Sequence, residues 1–187
     1  GSAVALHRMQ TEWLPAGQRR VLGGFVPIIE NLTQRDWGDN AAPTHTGLSN
    51  LALFATQTTV DSGAFAREMK FRARDVDVYG LACDGLVAAI ESDDMARAAQ
   101  LVDQYVATML AMIPFPQAAV LGSGHYSVVE ALFRKALPEA TPIVAAPELV
   151  AAATKDYLER HPEFAESGGV SFLTTGHNDV ANRLSVQ

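Results

Sequence analysis

Apolar and polar blocks alternate regularly after residue 50, and they predict strands and helices in turn. Apolar runs bounded by turn residues predict strands at 51–55, 76–82, 117–121, 142–145 and 170–174. Apolar residues at helical spacing predict helices at 62–72, 84–91, 93–112, 126–136, 147–160 and 179–184. Strands that alternate with helices are typical of a mainly parallel sheet flanked by helices, so we expect an α/β fold.

The first fifty residues have a less regular pattern. Helical spacing predicts a helix over 3–13, and the apolar run at 25–29 predicts a short strand. Residues 56–61 are predicted to form a turn, and the polar stretch 33–46 is a candidate connection between lobes. We therefore expect the remnant of a first lobe and its connection at 1–46, a second lobe at 47–140, and strands and helices that return to the first lobe at 141–187.

Composition excludes several function classes. A net charge of −7 does not suit nucleic acid or an acidic membrane surface, and no apolar run approaches the roughly 18–20 residues that span a bilayer. The N-terminal residues lack the apolar core of a secretory signal, and the single cysteine, Cys83, fits a reducing compartment. The histidines lack metal-ligand spacing, and no nucleotide-binding glycine motif is present. We expect a cytoplasmic protein with no metal site and no nucleic-acid or membrane partner.

The stretch LGSGHYS at 121–127 carries the most chemical information. It follows an apolar run and precedes a helical pattern, so it predicts a strand, a tight turn and a helix start. Such a turn gathers unpaired backbone N–H groups, which favour an anion. In open α/β sheets, ligands bind beyond the carboxyl ends of the strands, and 56–62 and 83–84 place further polar residues there.

Four segments, in order, resemble motifs of the cofactor-independent glutamate racemases in the aspartate/glutamate racemase superfamily. TQTTVDSGAF at 56–65 resembles T-x-x-T-V-x-S-G-A-Y, and FLTTG at 172–176 resembles F-x-T-T-G. Ala82-Cys83-Asp84, with Glu91 eight residues after the cysteine, resembles A-C-P-x-x-V-x-x-x-E. The segment at 121–127 resembles L-G-C-T-H-Y-P. The resemblance extends from about residue 25 to the end of the chain.

The sequence departs from the family pattern in two places. The family's F-D-S-G turn and its C-N-T-A-S-A motif, which carries one catalytic cysteine, have no counterpart here, so we expect the N-terminal segment to be lacking. Ser123 stands where the family has its other catalytic cysteine, with Gly124 in place of threonine and Ser127 in place of proline.

The resemblance implies interconversion of L- and D-glutamate for peptidoglycan synthesis, without a cofactor. Two bases flank the α-carbon in such a reaction, one removing a proton and the other returning one. By resemblance, the catalytic residues are Ser123, His125 and Glu91. The residues that bind the substrate are Thr56, Thr59, Gly122 and Gly124. Glutamate, a small acidic amino acid, is the expected ligand, and a homodimer is possible.

Serine at position 123 changes the expected outcome. A hydroxyl is far less acidic than a thiol and is a poor base without an adjacent general base, so we expect this chain to racemise glutamate slowly or not at all. Two alternatives stay open: a one-base racemase or decarboxylase on the same scaffold, and a non-catalytic relative that binds acidic amino acids. Structural interpretations also remain, with Cys83 as a small buried hydrophobe and Glu91, Thr56 and Thr59 as capping or turn residues.

Overall fold

Four parallel strands form the single sheet seen in the computed structural model, which describes residues 5–6, 8–14, 21–36 and 39–164. They are β1 (Asn50–Ala55), β2 (Asp77–Ala82), β3 (Ala118–Leu121) and β4 (Ile143–Val144). Their spatial order is β2-β1-β3-β4, and every pair is parallel. The α/β class predicted from the alternating pattern is confirmed.

Helices connect and cover these strands. In chain order they are α1 (Phe25–Thr33), α2 (Gln57–Ser62), α3 (Ala64–Arg72), α4 (Leu86–Glu91), α5 (Met95–Met112), α6 (Gly124–Val128), α7 (Glu130–Ala136) and α8 (Ala146–Arg160). A π-helical turn at Met9–Trp13 precedes them, and a 3₁₀ turn at Pro162–Phe164 follows. Asp94 caps α5 by accepting a hydrogen bond from the Arg97 N–H at 2.9 Å. None of these helices has both the length and the apolar character needed to cross a bilayer.

The sheet separates two apolar cores, because successive side chains of a strand point to opposite faces. Ala52 and Phe54 of β1 lie in one core, which α4, α5, α6 and α7 cover. Leu51 and Leu53 of the same strand lie in the other core, with side chains from α1, α3 and α8. The carboxyl ends of all four strands meet at one edge, where the loops to α2, α4 and α6 begin.

Three sequence predictions are wrong. Residues 25–29 form the start of α1 rather than a strand, and Ile28, Ile29 and Leu32 bury one face of this helix. Pro27 is tolerated because the N–H groups of a first turn have no intrahelical partner. Residues 57–62 form helix α2 rather than a turn, and the helix predicted at 126–136 is split at Val129 into α6 and α7.

The other described elements match their predictions within a few residues. The described part of 34–49 contains no helix or strand beyond an isolated bridge between Thr44 and Ala73, so the loop expected at 33–46 is present. The predicted strand at 170–174, the helix at 179–184 and the FLTTG motif lie outside the described residues. The division into lobes at 46 and 140 stays a prediction.

Candidate functional site

Gly122 forms the turn that leads from β3 toward α6. Its N–H donates to the Phe54 carbonyl at 2.8 Å, which fixes the turn against β1. A Cβ at this position would lie 2.9 Å from Leu53 Cδ1 and 3.0 Å from Ala55 Cβ, so close packing requires glycine here. The Gly122 N–H is therefore engaged by the sheet and is not available to an anionic ligand.

Ser123 and Gly124 follow with donors that the fold does not use. Ser123 is extended (φ −137°, ψ 137°), and its hydroxyl does not cap α6. Within residues 39–164, neither the Ser123 N–H nor the Gly124 N–H donates a hydrogen bond. The space beside Gly124 is open, because a Cβ at this position would have no described neighbouring atom within 4 Å. These N–H groups can therefore donate to a ligand.

His125 and Glu91 are brought together across 34 residues of sequence. His125 Nε2, on α6, lies 3.1 Å from Glu91 Oε1, at the end of α4. Both side chains are partly exposed, at 35% for His125 and 45% for Glu91. A carboxylate in this position orients an imidazole ring and fixes which nitrogen carries the proton. Two of the three residues that the resemblance makes catalytic thus form a pair.

Thr56 and Thr59 form a second polar pair, at the carboxyl end of β1. Thr56 is the residue before α2, and its Oγ1 lies 3.0 Å from Thr59 Oγ1. The Thr59 N–H donates to the Thr56 carbonyl at 2.9 Å, which holds the first turn of α2 in place. The capping interpretation and the binding interpretation of Thr56 and Thr59 are therefore compatible.

A cavity of about 560 Å³ opens beside these residues, between the sheet edge and helices α1 and α3. Its lining includes five of the seven predicted site residues, Thr56, Thr59, Gly122, Ser123 and Gly124. Glu91 and His125 are not part of the lining. The structure therefore divides the predicted site into a cavity wall and a hydrogen-bonded Glu91–His125 pair that is not part of the cavity lining.

The cavity wall also contains residues that sequence patterns missed. Phe65 and Glu68 of α3 and Phe25 and Ile29 of α1 are among its further lining residues. Glu68 lies three residues after Phe65, which is buried, so both are on one face of α3. The spacing could have placed Glu68 and Phe65 on one face of a helix. Nothing in the sequence indicated that this face of α3 borders a cavity.

Cys83 is a buried thiol rather than a reactive one. Its residue is 2% exposed, and this burial raises the pKa of the thiol to about 12. The Tyr126 hydroxyl donates to the Cys83 carbonyl at 3.4 Å, and burial raises the pKa of that phenol as well. The structural interpretation of Cys83 fits these surroundings. No group of three or more potential metal ligands occurs among the described residues.

Comparison with curated relatives shows which family the chain belongs to. The chain is 51% identical to a glutamate racemase of Paracoccus denitrificans over 187 residues, which are all of this chain and 69% of that protein. The chain belongs to the glutamate racemase family, as its sequence motifs predicted. It is also 51% identical to a glutamate racemase of Jannaschia over 94% of this chain and 64% of that protein, so it spans about two thirds of such relatives. No protein-family model matches the chain.

Solved glutamate racemases have a similar fold. An isoform from Bacillus anthracis superposes with a TM-score of 0.68 at 20% identity, over 85% of this chain and 55% of that one. The enzyme of Thermus thermophilus, in complex with β-chloro-D-alanine, superposes with a TM-score of 0.67 at 24% identity, over 99% of this chain and 63% of that one. The fold expected from the family resemblance is therefore confirmed.

Proposed function

We propose that this chain provides the glutamate-binding wall of a cofactor-independent glutamate racemase site. The observation that carries the proposal is the cavity at the carboxyl ends of β1 and β3, because five residues matched to family motifs lie on its lining. A glutamate racemase of Francisella tularensis, with a similar fold (TM-score 0.62, 17% identity), is in complex with D-glutamate, which supports glutamate as the ligand. The volume of the cavity is ample for an amino acid.

The donors of the wall suit a carboxylate. The N–H groups of Ser123 and Gly124 have no described protein partner, and the hydroxyls of Ser123 and Thr56 lie on the same lining. Removal of an α-proton places negative charge on the α-carbon and the adjoining carboxylate, and preorganised donors stabilise such charge. This part of the site can therefore hold the substrate and favour its deprotonation.

The base for that deprotonation is weak in this chain. By resemblance, a thiol acts at position 123, where this chain has a hydroxyl. Cys83 is the one cysteine of the 187 residues, and its raised pKa of about 12 keeps it un-ionised. We infer that the chain racemises glutamate slowly, with Ser123 lining the reaction face and the Glu91–His125 pair behind it.

A second candidate function is binding without racemisation. The His125 ring contacts Glu91, and no hydrogen bond within residues 39–164 joins that ring to the Ser123 hydroxyl. A serine without a hydrogen-bonded base is a poor proton acceptor. This observation favours a relative that binds an acidic amino acid and leaves its α-proton in place.

The two functions are separated by α-proton exchange in deuterated water, followed by proton NMR on L- and D-glutamate. We expect slow exchange with the natural chain, and at least about a hundredfold faster exchange with Ser123→Cys, since a positioned base contributes roughly 10²–10⁴ in rate. Ser127→Cys is the matched control, because Ser127 lies on α6, the helix that Ser123 precedes, and outside the cavity lining. It should exchange no faster than the natural chain.

Each of the other outcomes has a distinct meaning. Rapid exchange with inversion by the natural chain contradicts the weak-base argument. Exchange without inversion favours the one-base enzyme. A Ser123→Cys chain that binds glutamate and exchanges nothing favours the binding relative, and a chain that binds no glutamate contradicts the proposed function altogether.

A further inference from the structure

Strand β2 is the outermost strand on one side of the sheet, since the spatial order is β2-β1-β3-β4. It pairs with β1 over six residues in unbroken register, and no other described strand pairs with it. The N–H groups of Asp77 and Cys83 donate at 2.9 Å to carbonyls beside the start and at the end of β1. Because the peptide groups of a strand alternate in direction, those of Val78, Gly80 and Ala82 face away from β1. We call this row of backbone groups the open side of β2.

The open side of β2 lacks the features that usually protect an outermost strand. Native proteins protect such strands with charged side chains, proline, bulges or very short strands. Asp77 is the one charged residue of β2 and stands at its first position, so 78–82 contains neither a charge nor a proline. Every residue of β2 is at least partly exposed, whereas β3 is buried throughout. An added strand can therefore pair along most of β2.

A cleft of about 480 Å³ opens beside the amino end of β2, and its lining includes Lys70, Arg74, Asp75 and Asp77. The Asp75 carboxylate accepts from two backbone N–H groups at 3.0 Å, and Lys70 Nζ lies 3.7 Å from Asp77 Oδ1. Arg74 donates from Nε to the Pro43 carbonyl at 3.2 Å, and its Nη atoms have no described acceptor. Among the described residues, the Arg74 guanidinium is thus the charge of this cleft that has no counter-ion.

Helix α3 extends this basic surface. Arg67 precedes Lys70 by three residues and Phe71 by four, so the three side chains lie on one face of the helix, and all are exposed. A cation in the last turn complements the helix dipole, but the dipole does not explain why the Phe71 ring is 51% exposed. Since the whole chain has a net charge of −7, an acidic partner is attracted to this surface and repelled by most of the remainder.

We propose that the open side of β2 binds an extended acidic peptide, which pairs with β2 as an added strand and places carboxylates against Lys70 and Arg74. Backbone hydrogen bonds supply the affinity in this mode of recognition, and side chains beside the strand supply the selectivity. The cleft favours a peptide over an anionic lipid surface, because a flat bilayer does not enter it. This surface shares no lining residue with the cavity at the carboxyl ends of β1 and β3.

Fluorescence anisotropy at low ionic strength tests the proposal with three labelled synthetic peptides. The first has an alternating valine–threonine segment with glutamates at both ends, so that it can add in either direction. The second has lysines in place of the glutamates, and the third keeps the glutamates but is N-methylated throughout the segment. The natural chain should bind the first peptide at least about fivefold more tightly than the second and should not bind the third. The first peptide should also slow hydrogen exchange of the Gly80 amide about tenfold or more.

Reversal of the two cations should reverse the preference between the first two peptides. In the double variant Lys70→Glu, Arg74→Glu, the lysine peptide should bind more tightly than the glutamate peptide. Lys155→Glu is the matched control, because Lys155 is also an exposed lysine in a loose ion pair, 3.9 Å from Glu159 on α8, and lies outside the cleft. It should bind both peptides as the natural chain does.

Four results would overturn the proposal. Equal binding of the glutamate and lysine peptides by the natural chain contradicts an acidic partner. Binding that leaves the Gly80 amide unprotected, or that survives N-methylation, contradicts strand addition. Binding of none of the peptides contradicts the site as a whole. A dimer in light scattering whose Gly80 amide is already protected means that a second copy of the chain occupies the open side of β2. The peptide comparison and the exchange measurement use the natural chain, so they decide even if the double variant does not fold.

Discussion

The two edges of the parallel sheet use their polar side chains in different ways. At the amino ends of the strands, Gln117 and Asp75 are hydrogen-bonded to neighbouring segments of the chain. At the carboxyl ends, the N–H groups of Ser123 and Gly124 have no described protein partner and border a cavity. Gly124 is exposed and Ser123 is half-buried, so these donors are open at the cavity edge, and N–H groups that a helix start leaves unused can bind an anionic ligand.

At the amino edge, the side chains of Gln117 and Asp75 are engaged in hydrogen bonds within the protein. Gln117 Oε1 accepts from the Ser49 N–H, from the Ser49 hydroxyl at 2.9 Å and from the Asn50 N–H at 3.3 Å. Asp75 accepts from the N–H groups of Thr46 and Gly47, both at 3.0 Å. These bonds join the start of β1 to the starts of its neighbours β2 and β3. Polar residues at this edge therefore stabilise the fold.

Glycines at the carboxyl edge offer the largest contrast in stability. Gly122→Ala should destabilise the chain by about 1–3 kcal/mol, because the new methyl group overlaps Leu53 and Ala55. Gly124→Ala should be neutral or stabilise by up to about 1 kcal/mol, because the space there is open and alanine favours a helix. Urea unfolding of both variants measures the difference. Equal effects at the two positions would contradict the packing assigned to Gly122.

Side-chain deletions at the two edges should differ by less. Gln117→Ala removes hydrogen bonds that join β3 to the segment before β1, so we expect a loss of about 1 kcal/mol in the free energy of unfolding, reduced by solvent access. Ser123→Ala removes a hydroxyl with no described partner, so stability should change by less than about 0.5 kcal/mol. Glutamate affinity should show the reverse order, with a larger loss in Ser123→Ala than in Gln117→Ala. If Ser123→Ala lowers the free energy of unfolding as much as Gln117→Ala does, the two edges do not differ in how their polar side chains support the fold.

The fold was predictable from the sequence wherever apolar runs had turn residues on both sides. All four strands lie where such runs were predicted, and the central strands β1 and β3 fit the reason best, because buried parallel strands are nearly continuous apolar runs. The segment 25–29 broke the rule, because five apolar residues have too few repeats to distinguish a strand from a buried helix turn. The helix α1 shows its period only when Leu32 is included.

The sequence predicted five of the residues that line the cavity. It did not predict that His125 and Glu91 lie outside the lining or that Glu68 lies on it. Ser123 and His125 were expected to act together, yet Ser123 precedes α6 and His125 is its second residue. Two residues along a helix differ by about 200° in direction, which takes His125 away from the cavity and toward Glu91. Glu68 was missed because its place on the wall depends on how α3 packs beside α1, which local spacing does not specify.

A further expected effect concerns Asp75, and it depends on pH. Hydrogen bonds from the Thr46 N–H lower the pKa of this carboxyl from 3.8 to about 2, against the opposing effect of partial desolvation. The native state therefore binds the proton less readily than the unfolded chain, so the stabilisation is complete above about pH 5 and is lost as the pH falls toward 2.

Asp75→Asn should lower the melting temperature at pH 7, and the difference from the natural chain should shrink steadily below pH 4. Asp103→Asn, an exposed change on α5, is the control and should show no such trend. If the melting temperature of Asp75→Asn stays below that of the natural chain by the same amount at pH 2, then the shape of the Asp75 side chain, rather than its charge, stabilises the contact between the start of β2 and the segment before β1.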